Sequence, residues 1–132
     1  MANNSARALL LLLCLSVAVP SIAHHSFAAV FDVSKPVEVS GTVTDVEWMN
    51  PHAWIHLDVE GDDTEVESWS FELGSPNGLI RRGWSRATIK PGDVISISGY
   101  RARDGSMRGN VVGVTLATGQ RLDGMSSRPK EN

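Results

Sequence analysis

Cysteine is nearly missing from the sequence, since Cys14 is the only one among 132 residues. The chain beyond position 14 therefore has no thiol, and it cannot form a disulfide even in an oxidising compartment. The same absence excludes a cysteine-based zinc site, an iron–sulfur cluster and a cysteine nucleophile from that part of the chain.

A long apolar run is missing as well. The longest is the leucine-rich stretch at residues 8–19, which is well short of the roughly 20 residues of a membrane-spanning helix. Arg7 precedes this stretch and the small-x-small sequence at residues 21–23 follows it, which is the three-part pattern of a secretory leader. We therefore expect residues 1–23 to be a signal peptide and the protein to be periplasmic or secreted, without a membrane span.

Motifs of the common enzyme classes are also absent. The sequence contains no nucleophile elbow, phosphate-binding loop or paired-histidine zinc motif, so we assign no catalytic residue and expect a binding protein rather than an enzyme. The net charge is −3 with histidines neutral, and removal of the leader with its single Arg7 makes it more negative. An acidic exported chain is a poor candidate for binding nucleic acid. Its expected partner is an unknown small ligand or another exported protein.

The part of the chain beyond the leader has the size of one domain with one core. We expect an N-terminal arm over residues 24–36, a folded domain over residues 37–122 and a disordered tail over residues 123–132. The tail is short and polar, which is typical of a segment that does not fold. The arm either packs as an extra strand or remains free, and its sequence does not decide between the two.

The folded domain alternates apolar and polar residues, as β-strands do. Val39 and Val43 share one parity, whereas Val46 and Trp48 have the opposite parity. This shift predicts a long, bent first strand with a bulge, and Gly41 is a residue that permits close backbone approach there. Further strands are predicted at residues 53–59, 66–73, 94–101 and 109–116, followed by a small hairpin that reaches Leu122.

Between the third and fourth strands the sequence predicts one short helix. Ser75 fits an N-cap followed by Pro76 at the first helical position, and the helical segment is predicted over residues 79–87. Three strands, a helix and a hairpin follow one another in the order of an OB fold. We therefore predict an all-β chain, a small OB-like five-stranded barrel with one short helix between strands three and four. A small β-sandwich is the main alternative, although it usually needs about seven strands.

Seven short motifs follow one another along the chain beyond the leader. They are His24-His25-Ser26-Phe27, Gly41-Thr42-Val43, Asn50-Pro51-His52, Phe71-Glu72-Leu73-Gly74-Ser75-Pro76-Asn77, Arg81-Arg82-Gly83-Trp84, Lys90-Pro91-Gly92-Asp93 and Gly99-Tyr100-Arg101-Ala102. Together they resemble a family of small exported bacterial proteins that is classed as a domain of unknown function. The resemblance extends from His24 to about Leu122. It implies an exported single domain, and it implies no activity.

A mature chain that begins at His24 offers its α-amino nitrogen and the Nδ1 atom of the same residue to one metal ion. A further imidazole completes three nitrogens in a plane, which suits Cu(II) better than Zn(II) and is similar to the histidine brace of exported copper proteins. The amino group and imidazole titrate near about 7.7 and 6.5, so both can release protons to a metal close to neutral pH. The candidate metal ligands are His24, His25, His52 and His56, and copper is the only cofactor that the pattern suggests.

His52 and His56 share a strand parity but lie four residues apart, roughly 13 Å along an extended strand, which is too far for one ion. We favour His52 as the third ligand because it lies at an accessible corner at the edge of a strand. The competing interpretation places leader cleavage after Ala18, which leaves His24 inside a loose arm. In that case His52 bonds the backbone at its corner, and His56 is an ordinary residue of a polar face.

The candidate ligand-binding residues are Trp54, Arg81, Arg82 and Arg101. Trp54 has the opposite parity to its apolar neighbours, so it is either exposed and able to stack on a flat ligand, or covered by the arm through Phe27 and Phe31. The arginines form either a patch for phosphate, carboxylate or anionic glycan, or a solvated face with salt bridges.

These observations predict an exported β-barrel that binds a ligand or partner and has no classical catalytic site. The first alternative is a periplasmic copper protein with an N-terminal brace, acting as a carrier or as a redox enzyme. The second is an accessory domain that docks another exported protein through Trp54 and the arginines.

Overall fold

The computed structural model describes residues 27–61 and 65–126. Within these ranges the strands are β1 (Phe31–Glu47), β2 (Trp54–Glu60), β3 (Val66–Glu72), β4 (Val94–Ala102), β5 (Arg108–Thr115) and β6 (Arg121–Asp123). The helices are α1 (Phe27–Val30) and α2 (Pro76–Ile80). The predicted leader, His24, His25 and the chain beyond Ser126 lie outside the described residues.

The chain is mostly β, as predicted, and the strands form one six-stranded sheet in the order β3-β2-β1-β4-β5-β6. Neighbouring strands in this order are antiparallel. β3 also pairs with β5, in parallel, through Ser70, Phe71 and Glu72. The pairings therefore return from β5 to β3 and connect five strands in a closed circuit, with β6 beside β5.

The first strand is long and changes partner along its length. Its first part pairs with β4, and from Thr42 onward it pairs with β2. The predicted bulge is confirmed, but the register shifts between Val43 and Asp45 and not at Gly41. Gly41 lies so close to the Asp58 carbonyl oxygen that a β-carbon would collide with it, so glycine permits the approach of β2 at this point.

The N-terminal arm is packed against the domain from Phe27 onward. Residues 31–36 of the arm belong to β1. The Arg103 guanidinium donates to the Ala28 carbonyl oxygen (2.7 Å), and the Arg103 backbone N–H donates to the Val30 carbonyl oxygen (2.9 Å). The Phe27 ring lies 6.0 Å from the Tyr100 ring in an edge-to-face arrangement. These contacts fix the end of the described chain on the outside of β4.

The helix between β3 and β4 begins as predicted and ends earlier than predicted. The Ser75 hydroxyl accepts a hydrogen bond from the Gly78 backbone N–H (3.2 Å), which is the expected N-cap. The predicted helix over residues 79–87 is wrong, because Gly83 (φ 91°) ends it. The N–H groups of Trp84 and Gly83 donate to the carbonyl oxygens of Leu79 and Ile80, which is the Schellman motif.

The core lies inside the circuit of strands. Its fully buried side chains include Ile55, Leu57, Phe71, Ile97 and Val111. Trp69 stacks on Phe71 with a ring separation of 5.5 Å and an interplanar angle of 12°. Because side chains alternate along a strand, the residues between these core positions face outward. In the described ranges, no helix is long and apolar enough to cross a membrane.

Candidate functional site

Two rows of side chains cross the outer face of β1, β2, β3 and β5, in positions set by the strand register. The first row is Asp45, His56, Ser70 and Arg108, and the second is Glu47, Trp54, Glu72 and Asn110. Asp45 and Glu47 belong to these rows because of the bulge in β1. In a regular strand, with Thr44 paired and no bulge, both carboxylates would have the parity of the buried Val43 and would point inward.

Asp45, Glu47 and His56 form a compact group, which we call the acid–histidine cluster. One ligand atom from each side chain lies within 4.8 Å of the others. His56 Nε2 lies 2.9 Å from Glu47 Oε1, and His56 Nδ1 lies 2.9 Å from the Ser70 hydroxyl oxygen. The ring is therefore held on both sides, by Glu47 of β1 and by Ser70 of β3. Asp45 is held by its own hydrogen bond from the Val46 backbone N–H (2.8 Å).

The hydrogen-bond partners restrict the protonation of His56. An ionised Glu47 can only accept, so Nε2 carries the proton in this contact. Nδ1 either accepts the Ser70 hydroxyl proton, when the ring is neutral, or donates to the hydroxyl oxygen, when the ring is charged. A metal ion that displaces the Nε2 proton would meet one imidazole nitrogen and two carboxylates, a ligand set that first-row divalent ions accept.

Hydrogen bonds also connect a hydroxyl, a base and an acid in the order of a hydrolytic triad, namely Ser70, His56 and Glu47. Such a site needs donors aimed at the developing oxyanion. The Ser70 backbone N–H is already bonded to the Met107 carbonyl oxygen (3.0 Å), in the middle of a strand. The hydrogen bonds with Ser70 and Glu47 therefore hold the His56 ring in place, and we assign no nucleophile.

His52 lies apart from the acid–histidine cluster. Its Nδ1 atom is 3.1 Å from the Leu73 carbonyl oxygen and 3.4 Å from Glu72 Oε1. A hydrogen bond from His52 to the backbone is one of the two alternatives that the sequence left open for this residue. Among the described residues, the structure groups His56 and not His52 with further potential metal ligands. His24 and His25 lie outside the described residues, so their contacts stay a prediction.

Glu72 is the half-buried carboxyl group of the second row. Burial raises the pKa of Glu72, and the nearby His52, the Ser126 hydroxyl and Arg108 oppose the shift. The Asn110 amide donates to the Ser126 hydroxyl oxygen (2.7 Å), and the Asn110 Oδ1 atom is buried without a hydrogen-bond partner in the described part of the chain. Ser126 therefore covers the end of this row.

Trp54 is half-buried, and its indole ring is covered by Arg108. The guanidinium carbon lies 5.3 Å from the ring centroid, within the range of a cation–π contact. The alternative that Phe27 and Phe31 cover this ring is wrong, because Phe27 packs against Phe31 and Tyr100. A ligand that stacks on Trp54 would have to displace Arg108 or bind beside it.

The three predicted arginines occupy different surroundings. Arg82 donates to the Met125 carbonyl oxygen (2.6 Å) and lies 3.5 Å from Asp123, so it holds the segment after β6. Arg101 donates to the Gly105 carbonyl oxygen (3.1 Å) and lies over the Trp69 ring at 5.3 Å. Arg81 is exposed at the end of α2. A ligand-binding role for each remains a prediction.

Four residues of the two rows were not predicted as site residues from the sequence, namely Asp45, Glu47, Glu72 and Arg108. The parity shift that predicted the bulge also moves Asp45 and Glu47 to the face of His56, so this signal was available. Arg108 reaches Trp54 only through the β3–β5 pairing, which joins residues far apart in the chain. Local patterns carry no information about that pairing.

Charge is strongly divided along the chain. Residues 36–80, which contain most of β1 and all of β2 and β3, include ten Asp and Glu residues and no Lys or Arg. Residues 81–121 include eight Lys and Arg residues against Asp93 and Asp104. The acid–histidine cluster belongs to the acidic segment, although Arg108 of the basic segment ends the row that contains Asp45 and His56.

Comparison with protein-family models gives a match over residues 11–111, to a family described only as a family of unknown function (DUF6152). The match confirms the resemblance seen in the motifs. No curated protein matches the chain.

Proposed function

The chain belongs to this family of unknown function, and on that premise we propose that it is an exported module with an OB-like five-stranded barrel that binds a divalent cation at the acid–histidine cluster. The observation that carries the proposal is the convergence of Asp45, Glu47 and His56, whose ligand atoms lie within 4.8 Å of one another.

The OB-like barrel is supported by the circuit of strand pairings. β1 pairs with β2 and β4, β3 pairs with β2 and β5, and β4 pairs with β5. A helix lies between β3 and β4, as in the five-stranded Greek-key barrel. Export is supported by the leader pattern of residues 1–23.

The cation site is supported by the way in which its ligands are held. First-row divalent ions bind imidazole nitrogen and carboxylate oxygen at about 2.0–2.2 Å. Small rotations of the three side chains would bring their atoms to that distance around one ion. The Ser70 hydroxyl orients His56 through Nδ1, as an outer partner orients a histidine ligand, and leaves Nε2 for the ion.

The first experiment is a calorimetric titration of the processed protein with Zn²⁺, Cu²⁺, Mn²⁺ and Ca²⁺. One site per chain is expected, with Cu²⁺ and Zn²⁺ bound more tightly than Mn²⁺, the usual order for nitrogen and oxygen ligands. His56→Ala and Glu47→Gln should each weaken the site at least about tenfold, and Ser70→Ala should weaken it less.

Glu38→Gln is the matched control, because Glu38 is an exposed carboxylate of β1 outside the cluster. The control should bind the ion as the native chain does, and circular dichroism should show all four variants folded. Equal losses of ion affinity in Glu38→Gln and Glu47→Gln would show that the ion is held only by nonspecific electrostatic attraction. A protein that binds none of the four ions would disprove the site.

A copper site at the N-terminus is the second candidate, and the position of Phe27 favours it with His52 as a ligand. Residue 24 lies three residues before Phe27, a reach of about 10 Å. Tyr100, against which Phe27 packs, pairs with Asn110, and Asn110 pairs with Glu72. Tyr100 and Glu72 are therefore two strand spacings apart, a distance of about 10 Å. His52, which contacts Glu72, therefore lies at one end of a row of paired strands whose other end is Tyr100, the residue that Phe27 contacts.

Cu(II) electron paramagnetic resonance on the processed protein distinguishes the two candidates. A planar three-nitrogen signal that disappears when one residue is added before His24, or in His52→Ala, supports the N-terminal site. That signal should survive His56→Ala. A signal that is lost in His56→Ala and unaffected by the added residue assigns copper to the acid–histidine cluster instead.

A further inference from the structure

An open groove of about 490 Å³ lies at the end of β2 and β3 that is remote from Glu72. We call it the acidic groove, and it is lined by Ser40, Gly41, Thr42, Asp58, Glu60, Val66 and Val94. Its volume is in the range of about 300–1,000 Å³ that is typical of ligand-binding pockets. None of these residues belongs to the acid–histidine cluster.

The walls of the acidic groove combine exposed apolar and acidic side chains. Val66 and Val94 are 60% and 59% exposed, which makes them the two most exposed large apolar residues of the described chain. Asp58 accepts a hydrogen bond from the Ser68 hydroxyl (2.9 Å). Within the described ranges neither Asp58 nor Glu60 forms a salt bridge, so the groove offers two carboxylates that are not neutralised by a cation.

The same chain exposes a corner of complementary chemistry. Ile80, the last residue of α2, is 55% exposed, and the next residue, Arg81, is exposed as well. Among the described residues the Arg81 side chain forms no salt bridge. An isoleucine beside a free guanidinium matches two valines beside two carboxylates.

We propose that the acidic groove receives the Ile80–Arg81 corner of a second copy of this chain. Ile80 packs between Val66 and Val94, and the Arg81 guanidinium bonds Asp58 and Glu60. The division of charge between residues 36–80 and residues 81–121 favours this orientation, acidic half against basic half.

The contact joins two different surfaces, so it is heterologous, and repetition produces rings or open chains of copies. One corner in one groove buries much less than the about 1,600 Å² of a standard interface. We therefore expect a weak, reversible association that salt reduces, because the ion pairs at an open groove are screened.

Sedimentation equilibrium of the processed protein over a wide concentration range, in EDTA, tests the proposal. EDTA removes metal bridging, so the result is independent of the proposed cation site. The native protein should associate at low salt and less at high salt. Arg81→Glu and Glu60→Lys should each weaken the association, and the double variant Arg81→Glu/Glu60→Lys should restore part of it, because the ion pair with position 60 re-forms with its signs exchanged while Asp58 still repels the new carboxylate.

Lys35→Glu is the control, since it changes the net charge as Arg81→Glu does at an exposed position outside both surfaces. It should associate like the native chain. A protein that is monomeric at every concentration overturns the proposal and leaves the acidic groove to a basic partner of another sequence. Association that Arg81→Glu leaves intact, or that the double variant does not restore even in part, also overturns it.

Discussion

At position 44 the first strand contains one residue more than the strand that it faces. Val43 pairs with Leu57 and Asp45 pairs with His56, so Thr44 has no counterpart. One extra residue reverses the parity of everything after it. Two carboxylates that would otherwise point to the core therefore face His56 on the outside, and a metal site becomes chemically reasonable there.

A second single residue, Asp93, fixes the turn before β4. Its carboxylate accepts a hydrogen bond from the Lys90 backbone N–H (3.0 Å), and its own N–H donates to the Lys90 carbonyl oxygen (3.1 Å). The pKa of Asp93 is held below its ordinary value of 3.8, first by the hydrogen bond from the Lys90 ammonium group and then by the one from the Lys90 backbone. Asp93→Ala should therefore lower the melting temperature at neutral pH.

The pH dependence of that loss follows from the direction of the shift. A carboxyl group with a lowered pKa in the folded state stabilises the fold above its unfolded pKa, and the contribution disappears as the pH falls through the folded pKa. The melting temperatures of the native chain and Asp93→Ala should therefore converge as the pH falls below about 3.8. Asp93→Asn, which keeps an acceptor, should lie between them at pH 7. A difference that stays constant from pH 7 to pH 3 would contradict this account.

At the scale of elements, the strands were predictable because each is an alternating run bounded by turn residues. β2, β3, β4 and β5 begin and end within one residue of the predicted bounds. The end of α2 was missed, although Gly83 signals it. Leu79 and Trp84 are both buried, which imitates the pattern of one helix, but the Schellman turn after Ile80 produces the same burial.

The candidate site was less predictable than the strands, because it depends on which strands lie next to each other. His56 was selected from its strand, and its partners on β1 follow from the bulge. The pairs Trp54 with Arg108 and Glu72 with Asn110 depend on β3 lying beside β5. Sequence periodicity indicates which face a residue occupies, but it does not indicate which strand lies next to it.

For the molecule as a whole, the β3–β5 pairing has the largest consequences. It spans only three residue pairs, yet it converts a row of strands into a circuit and brings Arg108 to the outer face. It also gives the acidic strands β1–β3 a second line of contact with the basic region that follows them, in addition to the pairing of β1 with β4. The proposed OB-like barrel depends on this seam, the β3–β5 pairing, being closed in solution.

A disulfide across the seam tests closure directly. Ser70 and Arg108 are paired, and neighbouring strands lie about 4.8 Å apart, within the range that a disulfide bridges. In a Cys14→Ser background the only thiols of the variant Ser70→Cys/Arg108→Cys are the two introduced ones. Oxidation should join them within one chain and raise the stability by about 2–4 kcal/mol.

The control is Ser70→Cys/Thr115→Cys in the same background. Thr115 lies on the same strand but pairs with Ser96 and Arg121, not with β3, so its thiol should stay free. Mass spectrometry after alkylation and urea unfolding of both variants give the result. Free thiols in both variants would mean that β3 and β5 stay apart in solution, and Arg108 would then not reach Trp54. A bond in the first variant alone requires a closed circuit, because an open sheet separates β3 from β5 by β2, β1 and β4.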